Sequence, residues 1–513
     1  MKTIFVLMDT VNRRMLDLYN ENPAETALTP NLRRLAARGV VFDNHWTGSA
    51  PCMPARRDLL TGRLNFLEKP WGGMEPFDFS MPTLLAQHRN VHSQMFTDHA
   101  HYIIPGGENY TKGFTAWDVY RGQEGDPVWV RPDKNGIRSE HRPAWFKGAF
   151  SEAEAENRSH FKTEYEYPSV RTLYGAAKWL EENHDADNFL LWAEAFDPHE
   201  PYDCPKYYLD LYEKPGDYNG YDFTHPNYGY NEFDDAETEH LKRRCKATLT
   251  MTDRHLGELL DVMDRYDMWK DTMLIFTTDH GYHLGEHGYM GKNFMAAYNE
   301  VYHIPMIVCH PELEPGRCNA LTQNIDVLPT VLEYYGIPES VIPYSLHGHS
   351  LLPLLRGETD TLHETIIYGY FGHEVTLNDG VYTYIRAPKN ERNRPLNVYC
   401  AVPSLLRQYM GANDGCRVED YNKIETGRFL SWTRYPVYKF PADIVNFTNW
   451  SQSFEARKEF NDKTMLFNIV EDYRQERPIE DAALECEMVE KLRAAMKRCD
   501  APAEQYVRLG LEL

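Results

Sequence analysis

The residues best suited to bind a divalent cation stand at the ends of two apolar segments. Asp9 follows the run Thr3 to Met8, and Asp279 with His280 follows the run Met273 to Thr278. Buried runs of this kind are typical of parallel strands, whose carboxyl ends meet at one edge of a sheet. Carboxylates and imidazole together suit hard to borderline divalent ions. The sequence therefore predicts a metal site formed by these three residues in one crevice.

Three histidines at other predicted strand ends are candidates for contact with the substrate and for proton transfer. His99 and His101 lie in the segment Met95 to Tyr102, and His199 directly follows the apolar run Phe189 to Phe196. An imidazole titrates near neutral pH, so it can act as a general acid toward a leaving group. We favour His101, at the outer position, as the acid, with His99 as the alternative.

These segments belong to an alternation of strands and helices that covers the first two thirds of the chain. Ile304 to Cys309 repeats the strand pattern, and from Leu241 to Met263 apolar residues recur at the three- and four-residue spacing of one helix face. Such alternation predicts an α/β fold with a doubly wound, mostly parallel sheet flanked by helices. In open sheets of this kind, ligands bind at the carboxyl ends of the strands.

The most informative segment is Cys52-Met-Pro-Ala-Arg56, which is followed by an apolar pair and Thr61-Gly62. It is similar to the type I sulfatase motif C-x-P-x-R followed by T-G. Asp279 to Lys292 resembles the sulfatase run D-H-G-x-x-L-G-E/D-H-G-x-x-G-K, and Asp197-Pro-His-Glu-Pro-Tyr202 resembles D-P-H-x-P-Y. The chain is therefore identified as a member of the formylglycine-dependent sulfatases, within the alkaline phosphatase superfamily.

This resemblance implies a role for each matched residue. Cys52 would be oxidised to formylglycine by a separate maturation enzyme, and the hydrated aldehyde would attack the sulfur of a sulfate ester. Arg56 would hold that hydrate, and Lys292 would contact both the sulfate and the nucleophile. His199 would meet the sulfate or the leaving oxygen. The implied activity is the hydrolysis of a sulfate ester.

The first departure from the sulfatase pattern concerns the metal. Most members carry two consecutive aspartates at the first strand end, whereas this chain has Asp9-Thr10. The resemblance implies metal ligands from Asp9, Asp279, His280 and the oxidised Cys52, with the Thr10 oxygen as a further candidate. Ca²⁺ is the expected ion. Because this chain has one carboxylate fewer than most sulfatases at the first strand end, Mg²⁺ and Mn²⁺ are better alternatives here than in those proteins.

The second departure lies near residue 98. Many sulfatases have G-K-x-H there, with the lysine on the sulfate and the histidine as acid, but this chain has no lysine in that segment. His99 is then a candidate contact to the substrate. A phosphonate monoester or phosphodiester hydrolase of the same superfamily is the nearest alternative. An alternative of another class is a non-catalytic metal- or anion-binding relative in which Cys52 stays a thiol.

Composition limits the partners. The net charge of −23 argues against nucleic acid and against an anionic membrane. No basic track suited to a long sulfated chain is present, and no apolar run approaches the roughly 20 residues of a membrane span. We therefore expect a small sulfated substrate, an ester of a sugar or of an aryl or alkyl alcohol.

The beginning of the chain and its cysteines predict a cytoplasmic location. Met1-Lys2-Thr3 runs directly into the first apolar segment and shows no signal-peptide pattern. The nine cysteines have no paired spacing, which favours a reducing compartment.

Two changes of pattern predict the domain organisation. Residues 100–168 show little periodicity, which is typical of a functional insertion or lid. Later, Asp379 to Ile385 predicts a turn and an alternating strand, and Glu480 to Arg498 an amphipathic helix. We expect a catalytic domain over residues 1–365 and a smaller C-terminal α+β domain with an antiparallel sheet over residues 366–513.

Overall fold

A computed structural model of the chain describes residues 1–104, 106–129, 149–406, 422–442, 444 and 463–512. The strands of this part, in chain order, are β1 (Lys2–Met8), β2 (Val40–Phe42), β3 (His45–Trp46), β4 (Ser49–Ala50), β5 (His92–Thr97), β6 (Ala116–Val119), β7 (Phe189–Ala195), β8 (Gly229–Tyr230), β9 (Thr272–Thr277), β10 (His283–Leu284), β11 (Tyr289–Gly291), β12 (Met306–Cys309), β13 (Gly316–Cys318), β14 (Thr322–Gln323), β15 (Ile366–Tyr370), β16 (Val375–Asn378), β17 (Tyr382–Arg386), β18 (Asn397–Cys400), β19 (Glu425–Gly427), β20 (Val437–Pro441) and β21 (Met465–Asn468). The α-helices are α1 (Pro30–Ala36), α2 (Cys52–Thr61), α3 (Met81–Arg89), α4 (Ala149–Ser159), α5 (Pro168–Glu182), α6 (Lys206–Leu209), α7 (Asp235–Arg265), α8 (Asn299–Tyr302), α9 (Val327–Tyr334), α10 (Leu352–Leu355), α11 (Ala482–Arg498) and α12 (Ala503–Leu509).

The central layer is an eight-stranded sheet in the order β13-β2-β12-β9-β1-β7-β5-β6. The run from β9 to β6 is parallel, whereas β12 pairs antiparallel with both β9 and β2. Apolar residues of β1 alternate between two cores, because successive side chains of a strand point to opposite faces. Ile4 and Val6 pack with α1, α5 and α7, while Phe5 and Leu7 pack with α2, α3 and α9. The predicted doubly wound, mostly parallel sheet is therefore confirmed.

A second, five-stranded sheet forms mainly from the C-terminal part, in the order β21-β17-β16-β15-β4. Its strands β15, β16, β17 and β21 are antiparallel, and the Met488, Leu492 and Met496 face of α11 packs into its core. This sheet also takes in β4, which pairs parallel with β15 directly before Cys52. The C-terminal sheet thus supports the segment that carries the candidate nucleophile. The division into two domains at residue 365 stays a prediction.

The region expected to be an insertion, residues 100–168, lies partly outside the described residues, which omit 105 and 130–148. Within it, β6 forms the edge strand of the central sheet beside β5. Its function as a lid stays a prediction. Among the described residues, no helix combines the length and the apolar character that crossing a membrane requires.

Candidate active site

The predicted site residues meet at the carboxyl edge of the central sheet. Strand β1 lies between β7 and β9, so Asp9, just after β1, is flanked by the segments that follow its two neighbours. Asp279 comes two residues after β9, and His199 comes four residues after β7. The parallel arrangement alone therefore brings these three side chains to one crevice.

Arg56 ties the carboxylates of this crevice together from the first turns of α2. Its Nη2 donates to Asp9 Oδ2 at 2.7 Å, and its Nη1 donates to Asp279 Oδ2 at 2.6 Å and to the Cys52 carbonyl oxygen at 3.0 Å. The side chains of Arg56, Asp9 and Asp279 are fully buried. The rigid planar guanidinium suits this task, because it forms several charge-assisted bonds at once. Arg56 thereby fixes the spacing of the two carboxylates.

The charge on Asp9 depends on this contact. Burial acts to raise the pKa of Asp9, but the Arg56 guanidinium, helped by neighbouring histidines and Lys292, outweighs burial and holds the pKa well below its usual range. Asp9 is therefore ionised at neutral pH, as a metal ligand must be.

Cys52 lies beside the metal-binding candidates. Its Sγ is 3.3 Å from His280 Nε2, which is 3.2 Å from Asp279 Oδ2. His280 Nδ1 donates to the Gly281 carbonyl oxygen at 2.9 Å, a bond that leaves Nε2 to face the site. Asp9, Cys52, Asp279 and His280 offer ligand atoms that all lie within 4.8 Å of one another. This donor set fits a divalent cation.

The unmodified thiol of Cys52 is a weak nucleophile in this setting. Burial raises its pKa well above the ordinary value, and the negative charge of Asp9 raises it further. The thiolate, rather than the thiol, is the reactive form of a cysteine. The unmodified Cys52 thiol, buried beside Asp9, therefore stays protonated.

Thr10 links the two carboxylates with Lys292. Its backbone N–H donates to Asp279 Oδ1 at 3.0 Å, its hydroxyl donates to Asp9 Oδ1 at 2.5 Å, and it accepts a bond from Lys292 Nζ at 3.2 Å. Thr10 has a φ of +63°, which is uncommon for a β-branched residue. These contacts place Thr10 beside the candidate metal ligands; its own role as a ligand stays a prediction.

Lys292 and His199 form a direct contact. Lys292 Nζ lies 2.5 Å from His199 Nε2, and His199 Nδ1 donates to the Glu200 carbonyl oxygen at 2.5 Å. Burial lowers the pKa of His199 well below its usual range, and the Lys292 charge adds to the effect. His199 is thus neutral here and accepts from the ammonium group. The pair presents a cation for an anionic substrate group.

His99 and His101 stand next to each other at the same edge. Their Nδ1 atoms are 3.3 Å apart, His99 Nε2 lies 3.7 Å from Asp9 Oδ2, and His101 Nε2 lies 3.9 Å from Glu124 Oε2. Burial, then the charge of Arg56, lowers the pKa of His99 well below its usual range. His99 therefore faces the candidate metal ligands, whereas His101 faces the Glu124 carboxylate.

Asp98, in the segment that lacks the lysine found in many sulfatases, has a structural role. Asp98 is fully buried and accepts bonds from Ser169 Oγ at 2.5 Å, Gln123 Nε2 at 2.7 Å and the Phe196 N–H at 2.9 Å. Burial raises its pKa to about 6. The carboxylate that stands directly before His99 thus joins β5 to the segment after β7 and to α5.

Glu194 is a site residue that sequence reasoning missed. Its Oε1 accepts from Arg56 Nε at 2.7 Å, and its Oε2 accepts from Trp192 Nε1 at 2.8 Å and Tyr102 Oη at 2.9 Å. A signal was present, because Glu194 is the one charged residue in β7, a strand buried on both faces. A buried charge must be paired, so this glutamate indicated a buried cationic partner.

Replacing Glu194 by Gln is expected to destabilise the protein by about 3 kcal/mol, because it leaves the buried Arg56 charge without one of its partners. The free energy of unfolding in urea measures this change. The matched control is Glu181→Gln, which removes an exposed partner of Arg265 and should cost less than about 1 kcal/mol. Equal effects of both substitutions would contradict the role of Glu194.

The fold and this site together define an α/β protein with a buried arginine–carboxylate crevice of the kind that suits a metal-dependent hydrolase, and comparison with known proteins names its family. A family model described as Sulfatase matches residues 2–337. The chain therefore belongs to the sulfatase family, which confirms the resemblance and the predicted enzyme class, a sulfuric ester hydrolase. The choline-sulfatase of Rhizobium meliloti (strain 1021) is 26% identical over 416 residues, 74% of this chain and 77% of the relative.

Solved structures share the fold at low identity. The structure of BT4656 in complex with its substrate D-glucosamine-2-N,6-O-disulfate has a TM-score of 0.63 and 16% identity, over 97% of this chain and 98% of the other. The phosphonate monoester hydrolase of Agrobacterium radiobacter has a TM-score of 0.62 and 14% identity, over 97% and 96%. These two likenesses show the fold, which hosts both a sulfated and a phosphonate substrate class.

Proposed function

We propose that the protein hydrolyses a small sulfate ester at the crevice around Cys52 and Arg56. The observation that carries the proposal is the Arg56 clamp, which holds Asp9 and Asp279 beside Cys52, with Lys292 bonded to Thr10 in the same crevice. A sulfate ester resists attack because its oxygens are negative, so a site must offset that charge and supply a strong oxygen nucleophile. Arg56, Lys292 and the candidate metal ligands together can offset the negative charge of the sulfate.

The metal would be held by Asp9, Asp279, His280 and the oxidised Cys52, with Thr10 alongside. Carboxylate oxygens fit Ca²⁺, and the imidazole of His280 also admits Mg²⁺ or Mn²⁺. When bound, such an ion polarises a sulfate oxygen and stabilises the charge that develops in the transition state. Arg56 keeps Asp9 ionised and holds both aspartates in place for it.

Cys52 would serve after oxidation to formylglycine by a maturation enzyme, and the hydrated aldehyde supplies the oxygen nucleophile. The residues around it have separate tasks. Arg56, hydrogen-bonded to the Cys52 carbonyl, orients the side chain at the start of α2. Lys292 binds the sulfate oxygens, and His199, whose Nε2 accepts from the Lys292 ammonium group, holds Lys292 in place, with His99 beside them. Direct contact of His199 with the sulfate or the leaving oxygen stays a prediction. His101, whose Nε2 lies 3.9 Å from Glu124 Oε2 at the outer side of the crevice, gives a proton to the leaving alcohol.

The role of His101 predicts a dependence on the leaving group. His101→Asn should lower kcat/KM for an alkyl sulfate by about 100-fold or more, because a poor leaving group needs the proton. With 4-nitrophenyl sulfate, whose phenolate leaves unprotonated, the loss should be much smaller. His99→Asn is the matched comparison and should lower both rates to a similar degree. The reverse pattern would assign the acid to His99.

The substrate class is tested by parallel assays of the mature protein with aryl and alkyl sulfates, a phosphonate monoester and a phosphodiester. We expect the highest kcat/KM for a small sulfate ester, in keeping with the net charge of −23. The phosphonate monoester or phosphodiester hydrolase is kept as second candidate, because Asp98 and His99 stand where a sulfate-binding lysine is expected and a phosphonate hydrolase shares the fold. Preference for a phosphorus ester would select it.

The state of Cys52 is tested by intact-protein and peptide mass spectrometry on material from the native source. The peptide with Cys52 should carry the mass of formylglycine. An unmodified thiol there would contradict the proposed chemistry and support a non-catalytic relative that binds metal or anions.

A further inference from the structure

A second cluster of metal-ligating side chains faces the Nδ1 edge of His199, whereas the Nε2 edge faces Lys292. This second cluster consists of Glu124, Glu200 and His225, whose ligand atoms all lie within 4.8 Å of one another. His199 Nδ1 is 3.4 Å from Glu200 Oε2 and 3.7 Å from Glu124 Oε1. The cluster is therefore distinct from the Asp9 and Asp279 site but close to it.

Glu200 is the buried member of the second cluster. Its side chain is fully buried, and no described residue donates a hydrogen bond to either of its carboxylate oxygens. Lys292 Nζ stands 3.8 Å from Oε1, beyond hydrogen-bond distance, and the His199 Nδ1 hydrogen goes to the backbone carbonyl of Glu200 instead. A buried carboxylate without donors is costly, so its oxygens call for a ligand.

His225 supplies a nitrogen of the correct kind. Its Nδ1 lies 2.9 Å from the Pro226 carbonyl oxygen. Because a carbonyl only accepts, Nδ1 carries the hydrogen and Nε2 carries the lone pair. Metal-ligating histidines typically donate their other N–H to a carbonyl in this way.

The donor groups of the second cluster also favour a cation. Burial raises the pKa of Glu200 to about 8, so without an ion this carboxyl keeps a proton, which a bound cation would displace. Lys292 Nζ, 3.8 Å from Glu200 Oε1, donates its hydrogen bonds to His199 and Thr10 instead. Two carboxylates with one imidazole form a mixed oxygen and nitrogen donor set, which suits Mn²⁺ or a similar first-row ion better than Ca²⁺.

We propose that Glu124, Glu200 and His225 bind a second divalent cation of the Mn²⁺ type. The ion joins three separate segments: the one that follows β6, the one that follows β7, and the one that precedes β8. It thereby holds Glu124 in place beside His101 and His199. The proposal concerns ion binding and does not depend on the identity of the hydrolysed ester.

The test counts bound Mn²⁺ in the full-length protein with saturating Ca²⁺ present to fill the first site. Equilibrium dialysis with elemental analysis should give one Mn²⁺ per chain for the wild type. Glu200→Gln and His225→Ala should each weaken Mn²⁺ binding by about 100-fold or more. Glu314→Gln, at an exposed glutamate, is the matched control and should bind as the wild type does. Asp279→Asn should retain this Mn²⁺ while losing Ca²⁺.

Diffraction at the manganese absorption edge places the ion without any substitution. An anomalous peak among Glu124, Glu200 and His225 is the expected result. A wild-type protein that binds no Mn²⁺ beside saturating Ca²⁺, or binds it with unchanged affinity in the Glu200→Gln variant, would overturn the proposal. Both results are independent of catalysis, so a failure of the proposed sulfatase activity leaves this measurement intact.

Discussion

The Cys52→Ala variant is expected to lose sulfate ester turnover by on the order of 10⁴-fold or more, since loss of a catalytic nucleophile removes most of the rate enhancement. Its stability should change little, because alanine keeps the helical backbone of α2 and only a small buried group is lost. Initial rates with an activated aryl sulfate, measured with a thermal unfolding curve of the same preparation, separate these two effects.

A second buried cysteine provides the control for this substitution. Cys309 lies at the end of β12, 96% buried, with its Sγ near the Leu35 carbonyl oxygen and away from the crevice. Cys309→Ala should unfold at a temperature close to that of the wild type or slightly below it and retain full turnover. If Cys52→Ala kept more than a small fraction of the wild-type rate, Cys52 would not be the source of the nucleophile.

The Asp279→Asn variant is expected to lose both turnover and the response to metal. Asp279 is a proposed metal ligand and a partner of Arg56. The amide keeps the shape but removes the charge that binds the cation, so kcat should fall by about 10³-fold or more. In the wild type, a metal at 100 times its Kd stabilises the folded state by about 2.7 kcal/mol, and this increment should vanish in the variant.

The measurement compares Tm for chelator-treated protein and for the same protein with Ca²⁺ added. Mn²⁺ is not used, because the second cluster is expected to bind it in the Asp279→Asn variant as well. Asp253→Asn is the matched control: Asp253 is also buried but accepts the Asn31 and Leu32 N–H groups at the start of α1. It should lower Tm and leave the metal-dependent increment unchanged. A full increment in Asp279→Asn would remove Asp279 from the ligand set.

The two effects together separate the candidate functions. If the protein is a catalyst, both Cys52→Ala and Asp279→Asn should abolish turnover. Only Asp279→Asn should also abolish the stabilisation by metal, provided that Asp9, Asp279 and His280 bind the ion without Cys52. A non-catalytic relative would show the metal response without turnover in the wild type. The chemistry of Cys52 and the occupancy of the metal site are thus independent measurements.

Local sequence patterns predicted the sheet and the reacting residues. An apolar run that ends in a carboxylate, as at Asp9 and Asp279, identifies a strand and its carboxyl end from neighbouring residues alone. Cys52 and Arg56 are one helical turn apart, so their spacing in the sequence is also their spacing in α2. Such features depend on residues close in the chain, and a single sequence therefore determines them.

Tertiary structure decided the contacts that tune these residues. The Arg56 bond to Glu194 joins positions 138 apart in the chain. The pairing of β4 with β15 brings the C-terminal sheet to Cys52. The contacts of Asp98, and the meeting of Glu124, Glu200 and His225, likewise depend on which loops the strand order brings together. The sequence by itself determined which groups are candidates for the reaction and which strands present them. Only the strand order and register of the folded sheets decided which charges meet, because those contacts join segments that local patterning does not relate.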